Sequence, residues 1–459
     1  MKKVACSIIL VLLTITTASS APPKPNVIYI LADDLGYGDL GCYGQKTLTT
    51  PSLDKLAAEG MRFTRSYSGS TVCAPSRCTL MTGKHTGNSS VRGNRVAQLD
   101  ASDVTVAELF KKGGYITGCF GKWGVGHPLK DNDPNQKGFD DFYGYVDTYH
   151  AHNFYPEYLV HNGKRVKLNN VTMDKYKKDK VKYSRGAGVS IEKNEYAPDL
   201  IRKQMFEFID KNHSKPFFLY YTPNTPHANN EGRRENRGME VPDFGPYADK
   251  KWPIQEKGFA KMILDIDNDI KNIRESLDKH GIANNTLIIF SSDNGPHNEG
   301  GHSVKFFNSN GEKRGLKRDL YEGGVRVPMI AYWADKIPAG SVNNSIVAFQ
   351  DLLPTVAEIA KVECPQTDGT SMTPALLGKV MNNTQRTLYW EFPERGDSRA
   401  LLRDNIKLIH YKRGNLYQLF DIVKDPTESK NIIKDFPKLA QELKKIMQET
   451  PDERSIFKK

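Results

Sequence analysis

Long apolar runs are scarce in this 459-residue chain. The one extended run, Val4 to Leu13, is too short to span a bilayer. Met1-Lys2-Lys3 before it and the small residues Ala18 to Ala21 after it read as a secretory signal peptide over residues 1–20. No later stretch is long enough for a membrane helix, which argues against stable membrane insertion and predicts an exported protein, periplasmic or extracellular. Cysteine is also sparse, and five cysteines follow the signal: Cys42, Cys73, Cys78, Cys119 and Cys364. If Cys73 is reserved for chemistry, the other four leave three full pairings open, beside free thiols. Internal repeats, low-complexity tracts and nucleic-acid-binding modules are missing, so the formal charge of +11 is not read as a nucleic-acid signal. Losing Lys2 and Lys3 lowers that charge to +9, a balance suited to attracting polyanions.

Against these absences stands a repeated alternation of short apolar runs and amphipathic stretches. Asn26 to Leu31, Tyr115 to Phe120, Phe217 to Tyr221 and Leu287 to Ser291 predict buried strands. Ser52 to Glu59, Val104 to Lys112, Tyr196 to Asn212, Phe259 to Lys279 and about Gln350 to Lys361 predict helices, several closed by glycine. The fold class is α/β: a large mixed, mostly parallel sheet sandwiched by helices. Residues 127–195, rich in Lys, Asn, Asp and Tyr, read as a long excursion with hairpins. Four short half-polar strands between Leu388 and Asp421, then a helix from Phe436 to Gln448, predict a small antiparallel sheet with one helix. The expected division is a catalytic domain over 21–375 and a C-terminal α+β subdomain over 376–459.

The predicted strands end in chemically capable residues: Asp33-Asp34, Lys122, His227 and Asp293-Asn294. Ligands of open α/β sheets collect at the carboxyl ends of strands, so these endings predict one shared site. Asp33, Asp34, Asp293 and Asn294 offer only oxygen ligands, which suits Ca²⁺ or Mg²⁺ better than zinc. Each acidic pair also reads as an ordinary capped turn; it is the joint occurrence that favours a metal.

One further stretch, Cys73-Ala74-Pro75-Ser76-Arg77-Cys78-Thr79-Leu80-Met81-Thr82-Gly83-Lys84, predicts a short helix from about Pro75 to Gly83. Cys73 falls at its N-terminus, where the helix dipole favours negative charge. The bland reading is a disulfide cysteine before a capped helix. The stretch resembles the C-x-P-S-R-x-x-L-x-x-G-K signature of the type I sulfatases, in the alkaline-phosphatase-like superfamily. Asn26 to Asp39 and Gly315 to Pro328 resemble the family's opening strand with paired aspartates and its basic loop with an E-G-G-x-R-x-P run.

The resemblance implies that Cys73 is converted to formylglycine (3-oxoalanine) by a formylglycine-generating enzyme, and that its hydrated aldehyde is the nucleophile. It implies a Ca²⁺ site, Mg²⁺ being the weaker alternative, made by Asp33, Asp34, Asp293, Asn294 and the modified Cys73. Arg77 would hold the formylglycine, Lys122 and Lys317 the sulfate oxygens, and His227 the sulfate or the leaving oxygen. The family commonly carries a histidine two residues after the lysine; here Gly121-Lys122-Trp123-Gly124 has none, and His127 and His297 are the expected substitutes. The glycine form, with the loops around His152, Asn153, Asn229, Glu231, His297 and His302, resembles bacterial polysaccharide sulfatases acting on sulfated galactose units. Those six residues are therefore the expected sugar contacts, and a sulfated oligo- or polysaccharide the expected substrate. The alternatives are a phosphonate or phosphate ester hydrolase of the same superfamily and an inactive binder of sulfated polysaccharide.

Overall fold

The computed structural model describes residues 24–94, 97–127, 130, 133–381 and 386–450. The expected signal peptide lies outside the described residues. Among the described residues no helix is long and apolar enough to cross a membrane.

One eleven-stranded sheet forms the centre. In chain order its strands are β1 (Asn26–Ala32), β2 (Met61–Tyr67), β3 (Ile116–Lys122), β4 (Asp141–Tyr145), β5 (Tyr158–His161) and β6 (Lys164–Lys167). They continue with β7 (Phe217–Thr222), β8 (Thr286–Ser292), β9 (Arg326–Tyr332) and β10 (Ser341–Asn343), and Val347–Ala348 adds a short pairing with β2. The spatial order is β10-β2-β9-β8-β1-β7-β3-β4-β5-β6. From β8 to β4 the strands are parallel, and β9 and the β5–β6 hairpin add antiparallel edges. The mixed, mostly parallel sheet is the one expected.

Six helices pack on this sheet, α1 (Pro51–Glu59), α2 (Cys73–Thr82), α3 (Val106–Lys112), α4 (Ala197–Asn212), α5 (Ile254–Lys279) and α6 (Leu352–Ala360), and a seventh, α7 (Pro437–Glu449), packs on the C-terminal strands. Alternation along β1 divides the core. Val27, Tyr29 and Leu31 pack with α2, α3 and α6, while Ile28 and Ile30 pack with α1, α4 and α5. Along α5, Phe259, Met262, Ile263, Ile266, Ile270, Ile273 and Leu277 form the buried stripe, each contributing roughly 1.5–3 kcal/mol on burial.

The C-terminal strands β11 (Thr387–Phe392), β12 (Ser398–Arg403), β13 (Ile406–Tyr411) and β14 (Leu416–Asp421) form a separate antiparallel sheet. One of its faces carries Leu388, Trp390 and Phe392 against Tyr67, Leu320 and Val325 of the large domain, and the other covers α7. Lys407 of β13 is fully buried between Glu322 (3.0 Å) and Glu428 (3.4 Å), so an ionic cluster joins the sheet to the large domain.

Two expectations change. Residues 127–195 are more than an excursion, because Asp141–Tyr145 enters the main sheet parallel to β3. Its Asp-Phe-Tyr-Gly-Tyr sequence lacks the aliphatic run that marks a buried strand. Helix α5 begins at Ile254, ahead of the apolar stripe that suggested Phe259. Cys42, Cys73, Cys78, Cys119 and Cys364 are all unpaired, which removes each disulfide pairing left open by the sequence.

Candidate active site

Sheet register sets the floor of the site. β1 and β8 pair Ala32 with Ser292, so Asp33 and Asp293 leave the sheet side by side. β3 and β7 pair Gly121 with Thr222, and Lys122 ends β3 next to them. Asp34 adopts a left-handed conformation (φ 68°), and its N–H donates to Asp293 Oδ1 at 3.0 Å. Helix α2 starts at Cys73, two residues earlier than Pro75 suggested, and Gly83 (φ 68°) closes it. All ten of its residues are buried, unlike a surface helix with one wet face.

Arg77 is the hub of this floor. Its Nε donates to Asp293 Oδ2 at 3.0 Å, its Nη2 is ion-paired with the same oxygen at 2.8 Å, and its Nη1 donates to the Lys122 carbonyl at 2.6 Å and to Thr222 Oγ1 at 2.5 Å. Lys122 Nζ donates to Asp33 Oδ2 at 2.6 Å. Lys317 Nζ donates to Asp34 Oδ2 at 2.7 Å, to Glu299 Oε2 at 2.9 Å and to His227 Nε2 at 2.9 Å. Because His227 Nδ1 donates to the Ala228 carbonyl at 2.7 Å, Nε2 is the acceptor and the ring is neutral. Burial and the Lys317 charge hold its pKa well below the ordinary histidine value.

The donor set fits a hard divalent cation. Asp33 Oδ1 and Asn294 Oδ1 are buried and accept no hydrogen bond from a described residue, an expensive arrangement unless something else satisfies them. Burial pushes the Asp33 carboxyl up, but Lys122 and the other nearby cations outweigh it and hold it below the carboxylate range. Burial and the Asp33 charge push Asp293 up to about 7, against the pull of Arg77. Oxygen atoms of Asp33 and Asp293 and the Cys73 sulfur lie within 4.8 Å of one another. Four carboxyl groups (Asp33, Asp34, Asp293, Glu299) contact four cationic side chains (Lys122, Lys317, Arg77, Arg318), so with every carboxyl ionised the charges balance. A divalent cation there gives a net positive floor, suited to a sulfate monoanion.

At Cys73 burial raises the thiol pKa, so the dipole-activated thiolate expected from its helix-terminal position is not what the fold provides. Its sulfur faces Asn94, whose Nδ2 donates to Sγ at 3.5 Å and whose Oδ1 accepts from the Ala74 N–H at 3.1 Å. Gly124 (φ 76°) lies where the family histidine was missed; a Cβ there would stand 3.1 Å from Arg77 Cδ and 3.5 Å from Lys122 Cε. Of the expected substitutes, His297 is committed elsewhere: Nε2 donates to the Pro226 carbonyl at 3.1 Å and Nδ1 accepts from the Glu299 N–H at 2.9 Å. For His127 the backbone N–H donates to Asp133 at 2.6 Å. Asn94, which no sequence pattern marked, is the side chain set against the sulfur.

Above this floor lies a cavity of about 300 Å³ lined by Tyr149, His152, Glu231, Arg318 and Glu394, with His227 and Lys317 at its base. His152 stacks on His227 with ring centroids 4.8 Å apart, and its Nδ1 lies 3.4 Å from Glu231 Oε2. Four expected sugar contacts, His297 and the three that follow, are turned inward instead. Asn153 donates to the Gly186 carbonyl and accepts from the Tyr155 N–H. Asn229 donates to the Gly188 carbonyl and to Glu240, and His302 pairs with Glu256 at 2.6 Å while stacking on Phe259 at 3.8 Å. Backbone groups hold Asn153, a carbonyl and a carboxylate hold Asn229, and a carboxylate holds His302, so none of the three is turned to the cavity. Glu394 was missed because a distant loop brings it to the cavity, and Arg318, next to the expected Lys317, because its left-handed backbone (φ 79°) leaves no trace in sequence.

Comparison with known proteins agrees with this geometry. Residues 25–362 match the Sulfatase family, and residues 312–453 match "N-sulphoglucosamine sulphohydrolase, C-terminal". The N-acetylgalactosamine-6-O-sulfatase of Bacteroides thetaiotaomicron is 28% identical over 93% of both chains. The N-acetylgalactosamine-6-sulfatase of Mus musculus is 31% identical over 80% of this chain and 69% of its own. Among solved structures, Ps i-CgsB in complex with k-i-k-neocarrahexaose superposes with a TM-score of 0.76 at 28% identity, covering 93% of this chain and 92% of that one. Sequence match, sheet order and strand-end chemistry converge, and the chain belongs to the type I sulfatase family, sulfuric ester hydrolases on the alkaline-phosphatase-like fold.

Proposed function

We propose that this sulfatase removes sulfate from a sulfated carbohydrate, with a galactose-type unit as the leaving group, using formylglycine made from Cys73 and one bound Ca²⁺. The observation that carries the reading is the setting of Cys73: a fully buried sulfur at the start of α2, within 4.8 Å of carboxylate oxygens of Asp33 and Asp293. Such a sulfur is better placed as the precursor of another group than as a nucleophile. Relatives named for N-acetylgalactosamine 6-sulfate and a structure holding neocarrahexaose support the sugar class. The cavity of about 300 Å³, at the small end of ligand sites, suits one sugar unit.

Asp33, Asp34, Asp293 and Asn294 would hold the cation, which supplies charge neutralisation for sulfate oxygens. The hydrated aldehyde, once formed, supplies a hydroxyl to attack sulfur and a second hydroxyl whose deprotonation breaks the C–O bond and frees sulfate. Arg77, fixed by Asp293, Thr222 and the Lys122 carbonyl, orients residue 73. Lys122 and Lys317 present ammonium groups to the sulfate. The proton for the leaving oxygen is held between Lys317 Nζ and neutral His227 Nε2. His152 and Glu231, exposed to the same cavity, address sugar hydroxyls. A formylglycine-generating enzyme is the maturation partner, and export to the periplasm or beyond places the enzyme with polysaccharide.

Mass spectrometry of the peptide carrying Cys73, from enzyme coexpressed with a maturation enzyme, is expected to show an aldehyde. Cys73→Ala should fold normally and release no sulfate. Activity in that variant, or an active enzyme with an unmodified thiol, refutes the mechanism.

A further inference from the structure

Glu394 is the one cavity-lining residue that comes from the C-terminal sheet, on the loop between β11 and β12. Its Oε1 accepts from the Asn94 N–H at 2.8 Å. The approach depends on Gly93, where a Cβ would stand 2.9 Å from that oxygen. Asn94 in turn holds Cys73 Sγ and the Ala74 N–H, so Glu394 stands one residue away from the reacting position. No described cation pairs with the Glu394 carboxylate. The cations at the base are already taken: Lys317 by Asp34 and Glu299, and Arg318 by Glu299. Glu231 lines the same cavity, opposed by a histidine at 3.4 Å. The site is therefore graded in charge, with cations and the metal ligands at the floor and carboxylates at the mouth.

We propose that Glu394 is a specificity-determining residue that accepts hydrogen bonds from sugar hydroxyls flanking the scissile sulfate and, with Glu231, disfavours leaving groups carrying a second anionic group there. The inference rests on the sulfatase reading above. A carboxylate accepts two hydroxyls well and tolerates no sulfate or uronate beside it in a partly desolvated cavity. The preferred unit thus carries one sulfate and free neighbouring hydroxyls. Glutamine at this position keeps an acceptor for the Asn94 N–H and removes the charge; alanine removes both.

The test compares wild type, Glu394→Gln and Glu394→Ala on para-nitrophenyl sulfate, para-carboxyphenyl sulfate and a monosulfated galactoside. Glu394→Gln should raise the ratio of kcat/KM for the carboxylated over the nitro ester by about tenfold. It should lower galactoside kcat/KM relative to the nitro ester by about tenfold, mostly through KM. Glu394→Ala should lose kcat on all three, and glutamine should recover most of it, separating the grip on Asn94 from the charge. Unchanged ratios in Glu394→Gln overturn the inference while leaving the sulfatase reading intact. A wild-type enzyme, with Cys73 modified and Ca²⁺ supplied, that releases sulfate from none of the three counts against the sulfatase reading itself.

Discussion

Installing the family's histidine at Gly124 tests whether this active site lacks a part or is built without one. Gly124→His places a side chain on a backbone with φ of 76°, which costs an L-residue about 1–2 kcal/mol. Its Cβ would stand 3.1 Å from Arg77 Cδ, a few tenths of an ångström too close. Arg77 has little freedom to retreat, being tied to Asp293, Thr222 and the Lys122 carbonyl. Overpacking of this kind adds about 1–3 kcal/mol, so the variant should lose roughly 2–5 kcal/mol of stability. Displacing Arg77 also displaces residue 73, and turnover should fall about a hundredfold, the usual consequence of misplacing a reacting group by an ångström. Gly124→Ala carries the same backbone and Cβ penalties without an imidazole and is the control. Denaturant unfolding and sulfate release measure the two effects. A histidine variant that turns over faster than wild type at undiminished stability refutes the reasoning.

Other perturbations reach different parts of the molecule. Thorough chelation should abolish sulfate release and lower the unfolding midpoint, with Ca²⁺ restoring both; at a hundredfold excess over Kd the cation should contribute about 2.7 kcal/mol, and an unchanged midpoint would exclude a bound metal. Lys407→Met leaves Glu322 and Glu428 buried without their shared cation and should cost about 3–5 kcal/mol in urea unfolding; a loss below about 1 kcal/mol would show that the cluster is not structural. Burial raises Glu428 from 4.5 to about 7, Lys407 opposing and Glu322 assisting. Its proton is thus bound more tightly in the folded state, and the stabilisation it brings is complete below pH 4.5 and lost as pH rises to about 7. Glu428→Gln should flatten stability across that window and exceed wild type above it by at most about 3 kcal/mol; an unaltered pH profile would contradict the assignment. Glu231→Ala should lose at least about tenfold more kcat/KM on a sulfated galactoside than on an aryl sulfate, and equal losses would move Glu231 from sugar recognition to the core chemistry or the fold.

The parts of this architecture that could be read from sequence are those whose environment is uniform. β1, β7 and β8 are covered on both faces and are written as unbroken apolar runs. β2, Met-Arg-Phe-Thr-Arg-Ser-Tyr, alternates because one face stays partly exposed, and it escaped notice. β9 carries Pro328, which argues against an interior strand; the fold accommodates it where the register with β2 shifts between Val327 and Met329. The same contrast holds in the site. Residues that end strands announced themselves, because strand ends share an edge and the register delivers them together. Asn94 and Glu394 reach the cavity from loops 300 positions apart, each polar for reasons any surface loop shares, and only the packing of the C-terminal sheet against the main body makes them neighbours. Asn153, Asn229 and His302 failed in the opposite sense: polar residues near reactive ones, held inward by backbone groups and by the carboxylates of Glu240 and Glu256.

Complete burial of α2 bears on the history of each molecule before it works. Cys73 is 1% exposed, and the ten residues around it lie between the sheet and α6 with no open face. On the proposal that Cys73 becomes formylglycine, an enzyme that must reach its sulfur would have to meet the chain before the core closes. Folding and oxidation then compete for the same nascent polypeptide. A molecule that folds first is trapped as the thiol, since exposing α2 again means opening the main core rather than a local fray. On that proposal the fraction of active protein would be set during synthesis by the relative speed of two processes, and incubating the finished fold with the maturation enzyme should leave that fraction where it was.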